Sequence, residues 1–335
     1  MAFLLSSSLK VAQLKQLALK CGISTSGSKP ILTQRLLDEV SLVQPVTAQD
    51  GQGSHQRSRG ARVLSIDMGI RNLAYCVLDV PAKRILSPET FANAGKAKPR
   101  DLPSIHAWQR LAVSTPPTAS DITIPPAKEA FDPSTLSRAA YTLLRHRLLP
   151  FQPTHILIER QRFRSMGSKH ILEWTIRVNM FESILYGVLF ALKQEGVWDG
   201  EVRAVAPGKV GPFWIEEEES SPSVEGNGKK KVRKSHSAKI RNKGLKIDLV
   251  RSWLESGDVV HLGNDGVEEV ARAYREKWDR LPGGRKSPRG VEEVGEKMGK
   301  LDDLADCLLQ GMAWVQWEEN KRVLLSYGAE ALLEP

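Results

Sequence analysis

Cysteine is scarce in this chain. The 335 residues hold three, Cys21, Cys76 and Cys307, far apart and without a CxxC pair. That excludes a disulfide framework and a structural zinc site, and leaves three small buried hydrophobes in a reducing compartment. Long apolar runs are missing too. No stretch of 18 or more apolar residues occurs, so no transmembrane helix and no membrane partner is expected. Acidic residues are absent from 1–37, which carry Lys10, Lys15, Lys20, Lys29 and Arg35 among Ser6, Ser7, Ser8, Ser24, Ser26 and Ser28. That is the composition of a mitochondrial presequence, which predicts a mitochondrial protein. It is equally the composition of a small basic helical module, and one segment can serve both.

What is present is ordinary for a soluble globular protein: 41% hydrophobic and 26% charged residues. The net charge of +9, with an isoelectric point near 9.4, favours polyanionic partners, because Lys and Arg release the counterions condensed on phosphates.

The apolar pattern divides the chain. Leu9, Leu14, Leu17 and Ala18 recur at helical spacing, with Gly22 where a C-cap belongs. A second short helix carries Ile31, Leu32, Leu36 and Leu37. The segment LKVAQLKQLALKCGISTSGSKPILTQRLLDEV resembles a SAP motif through Leu14, Leu17, Gly22, Gly27, Lys29 and the Arg35–Leu36 pair. This resemblance implies non-specific DNA binding by residues 1–41, with Lys29 and Arg35 on phosphates. A helical hairpin for protein contact is the alternative. Residues 42–60 are polar and aperiodic and read as a linker.

From Arg62 strand patterns begin. Val63, Leu64 and Ile66 lead to Asp67, and Leu73–Val80 forms the second arm of a hairpin. Six prolines between 95 and 132 leave mostly loop around one strand near Trp108–Val113. Asp132 caps a helix that runs to about Leu149, with Pro133 at its first position. A strand at His155–Glu159, a long helix at Ile171–Glu195, a strand near Val202–Ala206 and a helix at Lys246–Leu254 follow. A final helix runs from Asp302 to about Lys321. Two flexible insertions, 216–243 and 263–300, are expected on charge and on Ser, Gly and Pro content; a charged helix is anticipated within the second. The expected fold is α/β, a mixed β-sheet flanked by helices, over residues 61–326.

Four carboxylates lie at the ends of apolar segments, where charge is expensive. Asp67 ends the first strand, Glu159 ends a later one, and Asp303 and Asp306 share one face of the last helix. Asp302 points about 100° away around that helix and ranks below them. Converging, these groups would repel unless cations held them, and hard oxygen ligands suit Mg2+, with Mn2+ as an alternative. Two such ions per site suit in-line phosphodiester hydrolysis. Singly, each residue has a plain reading as a turn, a solvated strand end or a dipole complement.

The segments LSIDMGIRNLAYCVLD, ILIERQRFRS and KLDDLADCLLQGMAWVQW resemble the motifs of the fungal mitochondrial Holliday junction resolvases, distant relatives of RuvC with an RNase H-like fold. The resemblance implies that Asp67, Glu159, Asp303 and Asp306 are catalytic metal ligands, and that a homodimer makes paired nicks in four-way junction DNA. The long helix, with Trp174, Phe181, Ile184, Leu185 and Val188, is a candidate interface or plain core. Arg71 and Asn72, just beyond Asp67, are candidates for phosphate near the metals. Arg160, Gln161, Arg162, Phe163 and Arg164 follow Glu159, with Phe163 either stacking on an unpaired base or buried. Lys209 and Lys246, with Lys239, Arg241 and Lys243, extend the basic surface. Two other functions stand beside this one: a junction-binding architectural protein that does not cut, and a nuclease of RNA–DNA hybrids.

Overall fold

The computed structural model describes residues 5–6, 8–43, 60–81, 102–113, 131–161, 171–215, 231–279 and 301–333, with backbone alone over 231–241 and at 279. Arg162, Phe163 and Arg164, most of the expected linker, and the segments 216–230 and 280–300 lie outside the described residues.

Two helices open the chain, α1 (Val11–Lys20) and α2 (Lys29–Ser41). Strand β1 (Ala61–Asp67) pairs antiparallel with β2 (Leu73–Val80), and β2 pairs antiparallel with β3 (Ser104–Leu111). Strand β3 begins earlier than expected, because Ser104 to Ala107 continue the pairing along Asp79 to Val77 past a register shift. Asp132 caps α3 (Pro133–Thr142), its Oδ1 accepting from the Thr135 amide at 3.0 Å. The chain then passes a π-helical turn at Leu143–Leu148 and a 3-10 turn at Leu149–Phe151. It enters β4 (His155–Glu159), which lies parallel to β1. Helix α4 (Glu173–Gln194) returns the chain to β5 (Glu201–Val205), parallel to β4. Helices α5 (Pro207–Trp214) and α6 (Lys231–Ser256), the short strand β6 (His261–Leu262), α7 (Asp265–Asp279) and α8 (Leu301–Tyr327) complete the domain. The sheet order is β5-β4-β1-β2-β3-β6.

Strands β1, β2 and β4 are covered on both faces, which explains their unbroken apolar character. Val63, Ala74, Cys76 and Leu157 face a core shared with α6, α7 and α8. Leu64, Ile66, Tyr75 and Ile158 face a second core under α3 and α4. A third core joins α1 and α2 to Val323 and Leu324 at the far end of α8 and to Leu332 beyond it.

One expectation is met in part and one needs correction. The charged helix anticipated within 263–300 is α7, whose Val267, Ala271 and Tyr274 are buried, Tyr274 against Trp108, so the second insertion is not flexible over 265–279. Those apolar positions recur at helical spacing inside a charged stretch. Residues 231–243, placed in the first insertion, are helical, continuous with a half of α6 that buries Ile247, Val250, Trp253 and Leu254. A helix propagates readily from such an anchored half. Helix α4 is also long and apolar enough to cross a membrane by length and composition. Its Val178, Phe181, Leu185, Leu189 and Leu192 are instead buried in the second core.

Candidate active site

Register and alternation place the first two carboxylates together. Ile66 of β1 pairs with Ile158 of the parallel β4, so Asp67 and Glu159 stand level, one residue further along adjacent strands. Val63 and Leu157 face the α8 side, and side chains alternate, so Asp67 and Glu159 face that side too. Helix α8 crosses this face closely. A Cβ on Gly311 would lie 2.9 Å from Leu78 Cδ1 and 3.2 Å from Ser65 Cβ, so a larger residue would push the helix away. Gln310 Nε2 donates to Ser65 Oγ and to the Ile66 carbonyl, both at 3.1 Å, and Trp108 Nε1 donates to the Leu304 carbonyl at 3.0 Å. Asp303, Asp306 and Gln310 follow i, i+3, i+7 spacing on one helical face, so this anchor carries both aspartates to the strand ends.

The four carboxylates feel one another. Burial pushes the Asp67 carboxyl well above its ordinary range, and repulsion from Glu159, a hydrogen bond shared with Glu159, and the charges of Asp306 and Asp303 raise it further. Arg110 Nε lies 3.1 Å from Asp303 Oδ2, Lys246 Nζ lies 2.8 Å from Asp306 Oδ1, and Lys243 pairs with Asp302. A recessed acidic group held by protons and basic side chains has the donor chemistry to take hard divalent cations in their place. With Asp303 and Asp306 turned to these partners, no three metal-binding side chains among the described residues already surround one point.

This arrangement coincides with a family match. Residues 63–324 fit the model of the family described as mitochondrial resolvase Ydc2 / RNA splicing MRS1. The chain belongs to this family. Two similar proteins are each named cruciform cutting endonuclease 1, mitochondrial. The one from Schizosaccharomyces pombe is 26% identical, with 93% of each chain covered. The one from Saccharomyces cerevisiae is 22% identical, over 93% of this chain and 82% of the other. The crystal structure of the yeast mitochondrial Holliday junction resolvase Ydc2 overlays with a TM-score of 0.56 at 24% identity, covering 96% of this chain and 98% of that one. The RNase H-like mixed sheet flanked by helices expected from sequence is thus the fold observed. Both relatives' names and the family description agree with a mitochondrial location.

Around these carboxylates, the other expected residues divide. Gln161 Nε2 donates to Glu159 Oε2 at 3.1 Å, and its backbone amide donates to Glu182 Oε2 at 3.0 Å. Arg160 is exposed beside them. Arg71 packs against two rings, its guanidinium 4.9 Å from the Trp174 ring centroid and 5.8 Å from that of Phe131. Asn72 Oδ1 accepts a hydrogen bond from Arg110, which fixes the orientation of its side-chain amide. Lys246 points into the acidic group. Lys209 needs correction: its half-buried ammonium donates to the Gly22 carbonyl at 2.8 Å, and burial lowers its pKa. It fastens α5 to the N-terminal helices, away from the carboxylates. Lys29 and Arg35 flank the α1–α2 turn, Arg35 donating to the Ser26 carbonyl at 2.6 Å. That helix pair is docked at the opposite end of α8 from Asp303, roughly 25 Å along the helix at 1.5 Å per residue.

Sequence reasoning missed Arg110, Glu182 and Gln310. Arg110 sits in a proline-bounded strand with no motif around it. Burial raises Glu182, which lies on the helix after Glu159 at no diagnostic spacing. Gln310 had a signal, a lone polar residue inside the apolar run CLLQGMAWV.

Proposed function

We propose that this protein is a divalent-metal-dependent endonuclease that resolves four-way DNA junctions in mitochondria by paired symmetric nicks. The observation that carries the reading is the convergence of Asp67 and Glu159 with Asp303 and Asp306, which a binding protein has no need to assemble against their mutual repulsion. These four side chains would hold Mg2+, or Mn2+, as two ions per site. Bound there, the ions would supply an activated water and charge stabilisation at the leaving 3′ oxygen.

The chain's own residues supply the rest. Asp67 and Glu159 lie on paired strands and cannot move apart, so the half of the site with the least freedom sets its geometry. Gln161 orients the Glu159 carboxylate. Asp303 and Asp306 approach from a separate helix whose depth Gln310 and Gly311 set. Arg71, Arg160, Gln161 and Lys246 are assigned to DNA, together with Arg162, Phe163 and Arg164 beyond Glu159. Residues 1–41 are assigned as a SAP-like DNA-binding module with Lys29 and Arg35 on phosphate.

Two symmetric nicks call for a homodimer. Of the interface residues expected on α4, Phe181 and Leu185 are buried in their own core, while Trp174 stays exposed. Leu172, Ile176 and Phe190 are exposed as well, at 68%, 52% and 68%. An apolar surface of this kind on α4 supports a second copy there.

The test is cleavage of a labelled four-way junction beside matched duplex, RNA–DNA hybrid and structured RNA, in Mg2+ and in EDTA, with Asp67→Asn alongside. Paired nicks on the junction alone, lost in EDTA and in the variant, are the expected result. Tight junction or RNA binding without cutting would replace the nuclease reading with a binding one; the family description, which also names RNA splicing, makes RNA the control to include.

A further inference from the structure

We propose that Arg110 is a resident counter-ion that competes with divalent cations for Asp303 and thereby sets the metal affinity of the site. The inference rests on the metal-dependent reading above. The guanidinium is held at both ends: Nε meets Asp303 Oδ2 at 3.1 Å, and Nη2 donates to Asn72 Oδ1. Asn72 belongs to the segment joining β1 to β2, Arg110 to β3 and Asp303 to α8, so one side chain ties three parts of the site together. The paired side chains are only 22% and 16% exposed, so salt screens them little.

Among the described residues no three metal-binding side chains surround one point as they stand, and Asp303, paired with Arg110, would have to give up that partner to share a cation with Asp67 and Glu159. Doing so breaks a charge-assisted hydrogen bond and leaves the guanidinium with Asn72 alone. The partner of Asp306 differs in kind. Lys246 is a flexible ammonium making one contact to a carboxylate that is 35% exposed, and it yields at small cost. Lys277 of α7 stands close enough to Arg110 for that charge to lower its pKa further below the effect of burial. Lys277 thus adds positive charge beside the guanidinium, and Asp303 is the carboxylate that pairs with it. Arg110 is thus a positioning residue: it keeps Asp303 on the sheet while the site lacks metal, and it opposes premature loading.

The experiment uses the full-length protein without DNA. Mn2+ binding is read from the electron paramagnetic resonance of free Mn2+, and melting temperature is measured in EDTA and in excess Mn2+. Arg110→Gln should bind Mn2+ about tenfold more tightly than wild type, a change of ~1.4 kcal/mol. It should melt lower in EDTA and gain more from Mn2+. Arg110→Lys, which keeps the charge and loses the fork, should fall between. Lys246→Gln should change Mn2+ affinity less than Arg110→Gln does. If Arg110→Gln does not fold, Arg110→Lys and Asn72→Ala decide the matter, and each should bind Mn2+ roughly threefold more tightly. Unchanged or weaker Mn2+ binding in the folded Arg110 and Asn72 variants, beside a wild type that binds normally, overturns the inference alone. A wild type that binds no Mn2+ overturns the metal-dependent reading beneath it.

Discussion

Gln310 on α8 donates its side-chain amide to Ser65 Oγ and to the Ile66 carbonyl, both at 3.1 Å, immediately before Asp67. All three residues are buried. The contact fixes how far α8 has slid along the sheet, and so where Asp303 and Asp306 meet the strand ends. Gln310→Ala would strand a buried hydroxyl and leave a void. The expected loss is about 2–3 kcal/mol of stability, read as a lower urea midpoint with an unchanged slope. Junction cleavage should fall more than junction binding, because the helix loses its register rather than its charge. An equal fall in both would show that Gln310 acts on stability alone.

The carboxylates oppose folding while they serve the site. Asp67 is the clearest case, since burial and its acidic neighbours disfavour its charged form. Asp67→Asn removes a charge that the fold must otherwise neutralise. The variant should therefore melt a few degrees higher than wild type in EDTA while losing cleavage altogether. A melting temperature below that of wild type would mean that the Asp67–Glu159 contact holds the strands together more than the repulsion strains them.

The N-terminal helices were expected to be a DNA-binding module set apart by a linker, residues 42–60. Their packing argues for more. Asn320 donates to the Lys20 carbonyl, Lys20 Nζ to the Leu332 carbonyl at 2.8 Å, and Lys209 Nζ to the Gly22 carbonyl. Gly22 (φ 66°) lies so close to the Trp317 ring that a Cβ there would come within 2.3 Å of it. Deleting residues 1–60 would expose Trp317, Val323, Leu324 and Leu332. The truncated protein should therefore aggregate or melt well below the full chain, measured by light scattering and calorimetry. DNA affinity is better tested by Lys29→Ala and Arg35→Ala. Each should reduce the slope of log affinity against log salt by about one if it contacts phosphate.

The strand that ends at Asp67, the strand that ends at Glu159 and the last helix were legible in sequence because each joins a clear apolar period to a carboxylate at its edge. The level pairing of Asp67 with Glu159 was not, since register between β1 and β4 depends on some ninety intervening residues. Arg110 was illegible for a related reason. Its partners, Asn72 and Asp303, are distant in sequence, and a lone arginine in a strand carries no local signature. Helix α7 was half legible: a charged helix was anticipated there, but its apolar positions, among them Val267, Ala271 and Tyr274, are spread through charge, so its place in the core did not show. Lys209 shows the reverse error. A lysine in a basic protein reads as surface until its carbonyl partner is seen.

His155 gives the fold a dependence on pH separate from the carboxylates. It opens β4, its ring centroid 4.7 Å from that of Trp314 on α8, with Nδ1 2.9 Å from Thr154 Oγ1. Burial lowers its pKa below the ordinary 6.5; Glu201 and Glu318 pull it back up, and Arg203 and Arg322 add to the lowering. A histidine held below its unfolded value binds its proton more tightly in the unfolded chain, so acidification favours unfolding. The loss begins as pH falls through about 6.5 and levels off once the folded form is protonated as well. His155→Gln keeps a polar side chain beside Thr154 and removes the titration. Urea unfolding at about pH 7.5 and about pH 5.5 should show a smaller drop in stability for the variant than for wild type. Equal drops would mean that His155 takes up its proton in the folded protein as readily as in the unfolded chain, with Glu201 and Glu318 cancelling the effect of its burial against Trp314.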